Sequence, residues 1–199
     1  MLKFATLGPE GSNHQLVAGH YLAFHGLKDA HITLVSRFAE AIDMMVSGEV
    51  DFTIQVAVHP STTETVARAY FRHRIYVVDT FIAPSHPLAV LTRAEIENPV
   101  TLALQPATRE YADLSRWAEL IPETSTASVA TALLEGRYDS GITRLDLAAR
   151  YPGRFRIDVE IGTIDDPWIV YGKTRVCRGP LSAWKESPVA HLFNRADPS

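Results

Sequence analysis

Apolar positions fall in short blocks along the chain, each punctuated by glycine, proline or a small polar residue. Residues 2–7 form an apolar run that stops at Gly8-Pro9-Glu10-Gly11. Leu16, Val17, Ala18, Tyr21 and Leu22 then recur at helical spacing across 14–24. The pattern predicts a strand, a tight turn and a helix, with Ser12 or Asn13 as the N-cap. A longer signal is internal: residues 36–54 line up without gaps on residues 124–142. In both copies a small polar residue precedes a helix and a glycine, Gly48 or Gly136, closes it. Three residues later an aspartate, Asp51 or Asp139, opens a short apolar strand. One helix-strand unit used twice predicts two lobes of similar build.

Between the copies, residues 75–91 are apolar but interrupted by Pro84 and Pro87, which suits an edge strand or a crossover between lobes. Residues 100–104 predict the first strand of the second lobe, Gln105-Pro106-Ala107-Thr108 a turn, and 109–120 a helix. After the second copy come a helix over 145–151 and strands near 155–161 and 168–171, the last returning to the first lobe. The expected organisation is lobe 1 from 1–78 plus 160–176, lobe 2 from 79–159, and a loosely attached tail over 177–199. This is an α/β fold class with a cleft between lobes.

Composition narrows the function classes. An apolar share of 46% with 21% charged residues is that of a globular protein. The net charge of −4, without any Lys/Arg-rich run, excludes a general attraction to nucleic acid. Any bound anion must therefore be met by a local feature. Cys177 is the single cysteine, so an internal disulfide and a cysteine-based metal site are excluded. No apolar run approaches the ~20 residues of a membrane span, and the N-terminus turns polar at Pro9-Glu10-Gly11, too early for a signal peptide. A cytoplasmic protein without membrane contact is expected.

Three predicted helix starts could receive such an anion. Gly11-Ser12-Asn13-His14, Ala107-Thr108-Arg109 and Thr124-Ser125-Thr126-Ala127 each set hydroxyl or amide side chains beside unpaired backbone N–H groups. The positive end of the helix dipole adds to those donors, so each start is either a plain cap or an anion site. In an open α/β fold such starts gather where ligands bind. Two lobes presenting them across one cleft suit a small dicarboxylate. Gly-Pro-Glu-Gly is not the glycine-rich fingerprint that cradles a pyrophosphate, and no metal ligand set stands out, so neither cofactor nor metal is expected.

Leu7-Gly8-Pro9-Glu10-Gly11-Ser12 resembles the opening signature of prephenate dehydratase domains, and the order of elements is similar over roughly residues 4–173. The resemblance implies a two-lobed fold of the periplasmic-binding-protein type II kind, an active site between lobes, a homodimer, and a cyclohexadienyl dicarboxylate such as prephenate as substrate. The sequence departs from that family where its catalytic Thr-Arg-Phe signature falls, at Asp166-Pro167-Trp168. A proline cannot clamp a carboxylate as arginine does, and Asp166 is not expected to donate as a threonine hydroxyl does. Val58-His59-Pro60 and Leu104-Gln105-Pro106-Ala107 likewise replace family motifs.

The chain is more similar to stand-alone prephenate decarboxylases of the bacilysin type, which lack Thr-Arg-Phe and end in a Trp-x-x-x-Gly-Lys strand, here Trp168 to Lys173. That likeness implies a lyase of specialised metabolism, in antibiotic biosynthesis, that removes CO2 while keeping the ring hydroxyl. A true dehydratase and a non-catalytic module that binds a small carboxylate are the alternatives. For proton delivery the candidates are His59 and His14, both at predicted cleft-facing turns. For holding the substrate they are Ser12, Asn13, Gln55, Gln105, Thr108, Arg109, Ser125, Thr126 and Arg144, the arginines by bidentate carboxylate contact.

Overall fold

The computed structural model describes residues 1–184, so residues 185–199 of the expected tail lie outside the described residues. Two five-stranded mixed sheets, each flanked by helices, make two lobes. The first sheet contains β1 (Lys3–Leu7), β2 (His31–Val35), β3 (Phe52–Val56), β4 (Tyr76–Pro84) and, from the end of the chain, β10 (Asp165–Gly172). Its order is β2-β1-β3-β10-β4. The second contains β5 (Leu88–Arg93), β6 (Thr101–Leu104), β7 (Glu119–Pro122), β8 (Ser140–Arg144) and β9 (Phe155–Gly162), in the order β7-β6-β8-β5-β9. The lobes are built alike: three parallel strands come first, and the fourth place goes to an antiparallel strand that has just crossed from the other lobe.

Side chains alternate across each sheet, as a period of two requires. In the first lobe Phe4, Ile54, Trp168 and Val170 pack on α1 (Asn13–Phe24) through Val17, Ala18 and Leu22. Ala5 and Tyr171 point the other way, onto Ala41, Ile42 and Met45 of α2 (Phe38–Ser47). Both faces are covered, so even the polar Thr53 and Gln55 of β3 are fully buried. In the second lobe Ala89, Leu91 and Ala103 meet Val129 and Leu133 of α4 (Thr126–Leu134), while Val90, Leu102, Leu104 and Ile142 meet Leu114 and Trp117. The first lobe also holds α3 (Thr62–Ala67), continued by a wide turn at Arg68–Arg72, and the second holds α5 (Asp146–Arg150).

The internal echo is α2–β3 and α4–β8. Gly48 and Gly136 close the two helices at φ of 84° and 73°, the left-handed region that glycine enters without a Cβ clash. Asp139 holds the second copy to its sheet by accepting from the N–H groups of Val100 and Thr101 at 2.8 and 3.0 Å.

Two expectations are corrected. Residues 109–120 do not form a helix. Pro106–Thr108 makes a single 3-10 turn, and the chain then bends through residues 109–118 into β7. Asp113 accepts from the Ser115 N–H at 2.9 Å, a local turn that competes with helix. Leu114 and Trp117 are buried under the sheet, with Trp117 Nε1 donating to Ser140 Oγ at 2.9 Å. The crossings also fall later than the lobe boundaries at 78/79 and 159/160. β4 stays paired with β10 as far as Pro84↔Asp165, and β9 stays paired with β5 as far as Gly162↔Leu88. The two crossing segments are tied together: Ser85 N–H donates to the Ile164 carbonyl at 2.8 Å, and Ile164 N–H to Ser85 Oγ at 3.0 Å.

Gly141 of β8 sits directly beneath α4. A Cβ there would lie 2.4 Å from Val129 Cγ1 and 3.2 Å from the Ala103 carbonyl oxygen. Gly141→Ala should therefore destabilise the protein by about 1–3 kcal/mol through overpacking, read as a lower denaturant midpoint. An unchanged midpoint would show that α4 lifts off its sheet at no cost.

Candidate functional site

A cleft opens between the lobes where the two chain crossings meet. Its walls are Leu7, Ser12, Asn13, His14, Val56, Val58 and His59 of the first lobe, and Gln105, Thr108, Tyr111, Ser125 and Thr126 of the second. Ser85, His86 and Asp166 close it at the crossings. Among the described residues no lysine or arginine lines it.

The floor of the first lobe is the start of α1. Ser12 caps this helix by accepting from the Gln15 N–H, and its own hydroxyl donates to the Leu7 carbonyl at 3.0 Å. The cap serves the third amide, so the N–H groups of Asn13 and His14 have no acceptor among the described residues. Opposite, Ser125 caps α4 through the Ser128 N–H at 3.0 Å and leaves the amides of Thr126 and Ala127 equally free. The third expected start differs. At the 3-10 turn Ala107 N–H goes to Gln105 Oε1 at 2.6 Å and Thr108 N–H to the Gln105 carbonyl at 2.8 Å. That turn offers side chains to the cleft but no spare amides.

Ser12, Asn13, His14, His59, Gln105, Thr108, Ser125 and Thr126 thus come together around one space. Gln55, Arg109 and Arg144 do not line it. Gln55 is fully buried: its Oε1 accepts from Tyr171 OH at 2.9 Å, and its Nε2 donates to Ser61 Oγ and Thr65 Oγ1 at 3.4 and 3.5 Å. Arg109 is exposed, because the helix expected to orient it does not form. Arg144 spends its guanidinium on the Asp146 carboxylate and, across the lobes, on the Gly11 carbonyl at 3.2 Å. It bridges the lobes at the rim. A second bridge runs from the His86 N–H to Asn13 Oδ1 at 3.1 Å.

The histidines are electrically quiet. The His14 ring lies among Phe38, Trp168 and His59, with ring centres 5.4, 5.1 and 6.2 Å away, and its Nε2 is buried without a partner. Loss of solvent, with a smaller repulsion from His59, pushes its pKa down to about 3. Burial also lowers His59 and, together with Arg144, His86. His59 Nδ1 lies 2.8 Å from Ser61 Oγ and accepts from the Ser61 N–H at 3.1 Å. The neutral ring therefore carries its proton on Nε2. Gln55 acts on His59 indirectly, by holding Ser61. Burial thus holds His14 far below the ordinary histidine range and moves His59 in the same direction.

By sequence Asp166 has no donor role, because a carboxylate cannot donate. In the structure it lines the cleft at only 7% exposure, on the same face of β10 as Trp168. Burial, and then the neighbouring Asp165, raise its pKa above the ordinary aspartate range. A carboxyl so placed can carry a proton. Tyr111, also missed, faces it from the second lobe, and its hydroxyl is raised by burial and by Asp166. The sequence held no periodic signal for Tyr111, since it sits on an irregular turn. Among the described residues no group of three or more His, Cys, Asp or Glu is placed to hold a metal ion, and no helix is long and apolar enough to cross a membrane.

No protein-family model matches the chain, and no curated protein matches it in sequence. Solved structures do match. A prephenate dehydratase from Arthrobacter aurescens, crystallised with L-Phe, is similar over 88% of this chain and 61% of its own, with a TM-score of 0.65 and 19% identity. A prephenate dehydratase from Staphylococcus aureus is similar over 87% of this chain and 67% of its own, at 0.58 and 14%. The periplasmic VFT2 domain of BvgS from Bordetella pertussis covers 86% of this chain and 80% of its own, at 0.52 and 16%. These likenesses define the class: a two-lobed α/β fold of the periplasmic-binding-protein type, shared by prephenate dehydratases and solute-binding domains. The chain spans 61% of the length of the Arthrobacter protein.

His14 generates a pH prediction. Its folded pKa is depressed, so the unfolded chain takes up the proton first as pH falls from the ordinary histidine value. The stability owed to the neutral ring is fully present above about pH 6.5 and is lost progressively toward about pH 3. Acidification from about pH 7 to about pH 5 should cost about 2 kcal/mol through this group alone. Denaturant titrations across that range should show a flatter pH dependence for His14→Gln. Equal slopes for the two proteins would mean that His14 is not buried as a neutral ring.

Proposed function

We propose that this protein is a prephenate dehydratase-like lyase acting on prephenate or a closely related cyclohexadienyl dicarboxylate, and that it decarboxylates without forming an aromatic ring. The observation that carries the reading is the cleft itself. Free amides of α1 and α4 approach it from opposite lobes, while Asp166-Pro167-Trp168 occupies the stretch where the dehydratase signature falls by sequence. The two dehydratase folds support the substrate class. The missing threonine and arginine favour retention of the ring hydroxyl, the step in which a dehydratase differs, and agree with the likeness to decarboxylases of the bacilysin type.

In this reading the helix-start amides of Asn13, His14, Thr126 and Ala127, with the hydroxyls of Ser125 and Thr126, hold one carboxylate beside the Ser12 cap, with Gln105, Thr108 and the His59 Nε2–H completing the walls. The other carboxylate faces the less polar side formed by Leu7, Val56 and Leu88. There the bond from the ring carbon breaks, CO2 leaves, the electron pair enters the diene, and its far terminus takes a proton. Working as a cytoplasmic homodimer, in specialised metabolism, belongs to the same proposal. A second reading is a non-catalytic receptor for a small acid, favoured by the absence of any cationic side chain in the cleft and by the BvgS domain fold.

Incubation with prephenate separates these readings. The proposal predicts consumption of prephenate with a dihydro-hydroxyphenylpyruvate product that lacks the aromatic absorbance. Phenylpyruvate as the product would replace it with a dehydratase, and unchanged prephenate that raises the melting temperature would replace it with the receptor.

A further inference from the structure

Asp166 is surrounded in an unusual way for a residue in an anion site. Its carboxyl is 7% exposed and faces the cleft, yet among the described residues no side chain donates a hydrogen bond to it and no lysine or arginine pairs with it. The titratable groups that share its space are acidic, or are a tyrosine and histidines shifted toward their neutral forms. Asp165 adjoins it on β10, and Tyr111 faces it from the second lobe. His14 and His59 come from the first lobe and His86 from the crossing, all three lowered by burial. The Arg144 guanidinium is engaged at the rim by Asp146 and the Gly11 carbonyl. A buried carboxylate without a partner is costly as an anion. The free amides of α1 and α4 draw a second anion into the same space. Two uncompensated anions in one cleft repel, and a single proton removes the conflict.

We propose that Asp166 stands in the complex as a neutral carboxyl that donates a hydrogen bond to the bound acid, so that the cleft takes up one proton from solvent with its ligand. The inference rests on the cleft being a carboxylate site, and it adds the protonation state that selects the ligand. In the decarboxylation proposed above, this proton passes to the ring carbon as the bond to the departing carboxylate breaks. CO2 leaves, Asp166 remains as carboxylate, and solvent reprotonates it.

The test is calorimetry of the full chain with prephenate and with phenylpyruvate, near pH 8, in buffers of differing ionisation enthalpy. The heats should give close to one proton taken up per acid bound, and Kd should rise up to about tenfold per pH unit above the Asp166 pKa of the free protein. Asp166→Asn, whose amide still donates, should bind with neither uptake nor that pH dependence. Binding to the unaltered protein without proton uptake would overturn the inference and leave the carboxylate site standing. Uptake that persists in Asp166→Asn would assign the proton to a histidine and overturn it equally. Loss of binding by a folded Asp166→Asn protein would contradict the donor role. If neither acid binds, the carboxylate site itself falls and this inference with it. The result with the unaltered protein stands whether or not the variant folds.

Discussion

Among the described residues, four backbone amides without acceptors, two from each lobe, lie at the helix starts beside a cleft that no lysine or arginine lines. The rest of the site follows from that constraint. Each helix start favours an anion by roughly 0.3–1 kcal/mol at an exposed surface, and by more where water is excluded. Neither start alone makes a site, and their sum depends on the lobes facing one another. The fold secures this with paired crossings tied through Ser85 and Ile164, and with two bridges between lobes, Arg144 to Gly11 and His86 to Asn13. The charge of Arg144 is thus used to hold the cleft walls together. In the proposed function the ligand is left to dipoles and hydroxyls.

A site of this kind is sensitive to every proton in it. Had the three histidines been charged, the cleft would attract any anion indiscriminately. Burial lowers all three toward the neutral form, and hydrogen bonds through Ser61, itself held by Gln55, fix which nitrogen of a neutral His59 ring donates. What remains is a directional set of donors with one acid, Asp166, among them. Directional donors discriminate by shape and by where the ligand's charge lies.

Much of the fold was legible because its punctuation repeats. Gly48 and Gly136 each need a left-handed backbone, and an aspartate three residues later opens the strand in both copies, so the second copy announced itself in the first. The 109–120 segment misled because Leu114 and Trp117 have helical spacing, yet serve as two anchors of an irregular turn stitched by Asp113 and Ser140. The cap residues that line the cleft, Ser12 and Ser125, were readable as caps from their residue type and spacing. Gln55 and Arg144 were not placed correctly, because a polar residue near a cleft gives no sign of which partners it will satisfy first. Asp166 was misread for a related reason: the protonation state of a carboxyl is set by burial and neighbours, and a linear sequence shows neither.

The central claim is that one small acid is gripped by helix starts from both lobes at once. Titrating isotopically labelled protein with prephenate, and following backbone amide resonances, tests it directly. The largest shifts should fall on Asn13 and His14 of one lobe and on Thr126 and Ala127 of the other, saturating together. Shifts confined to a single lobe, or centred away from both helix starts, would contradict the account.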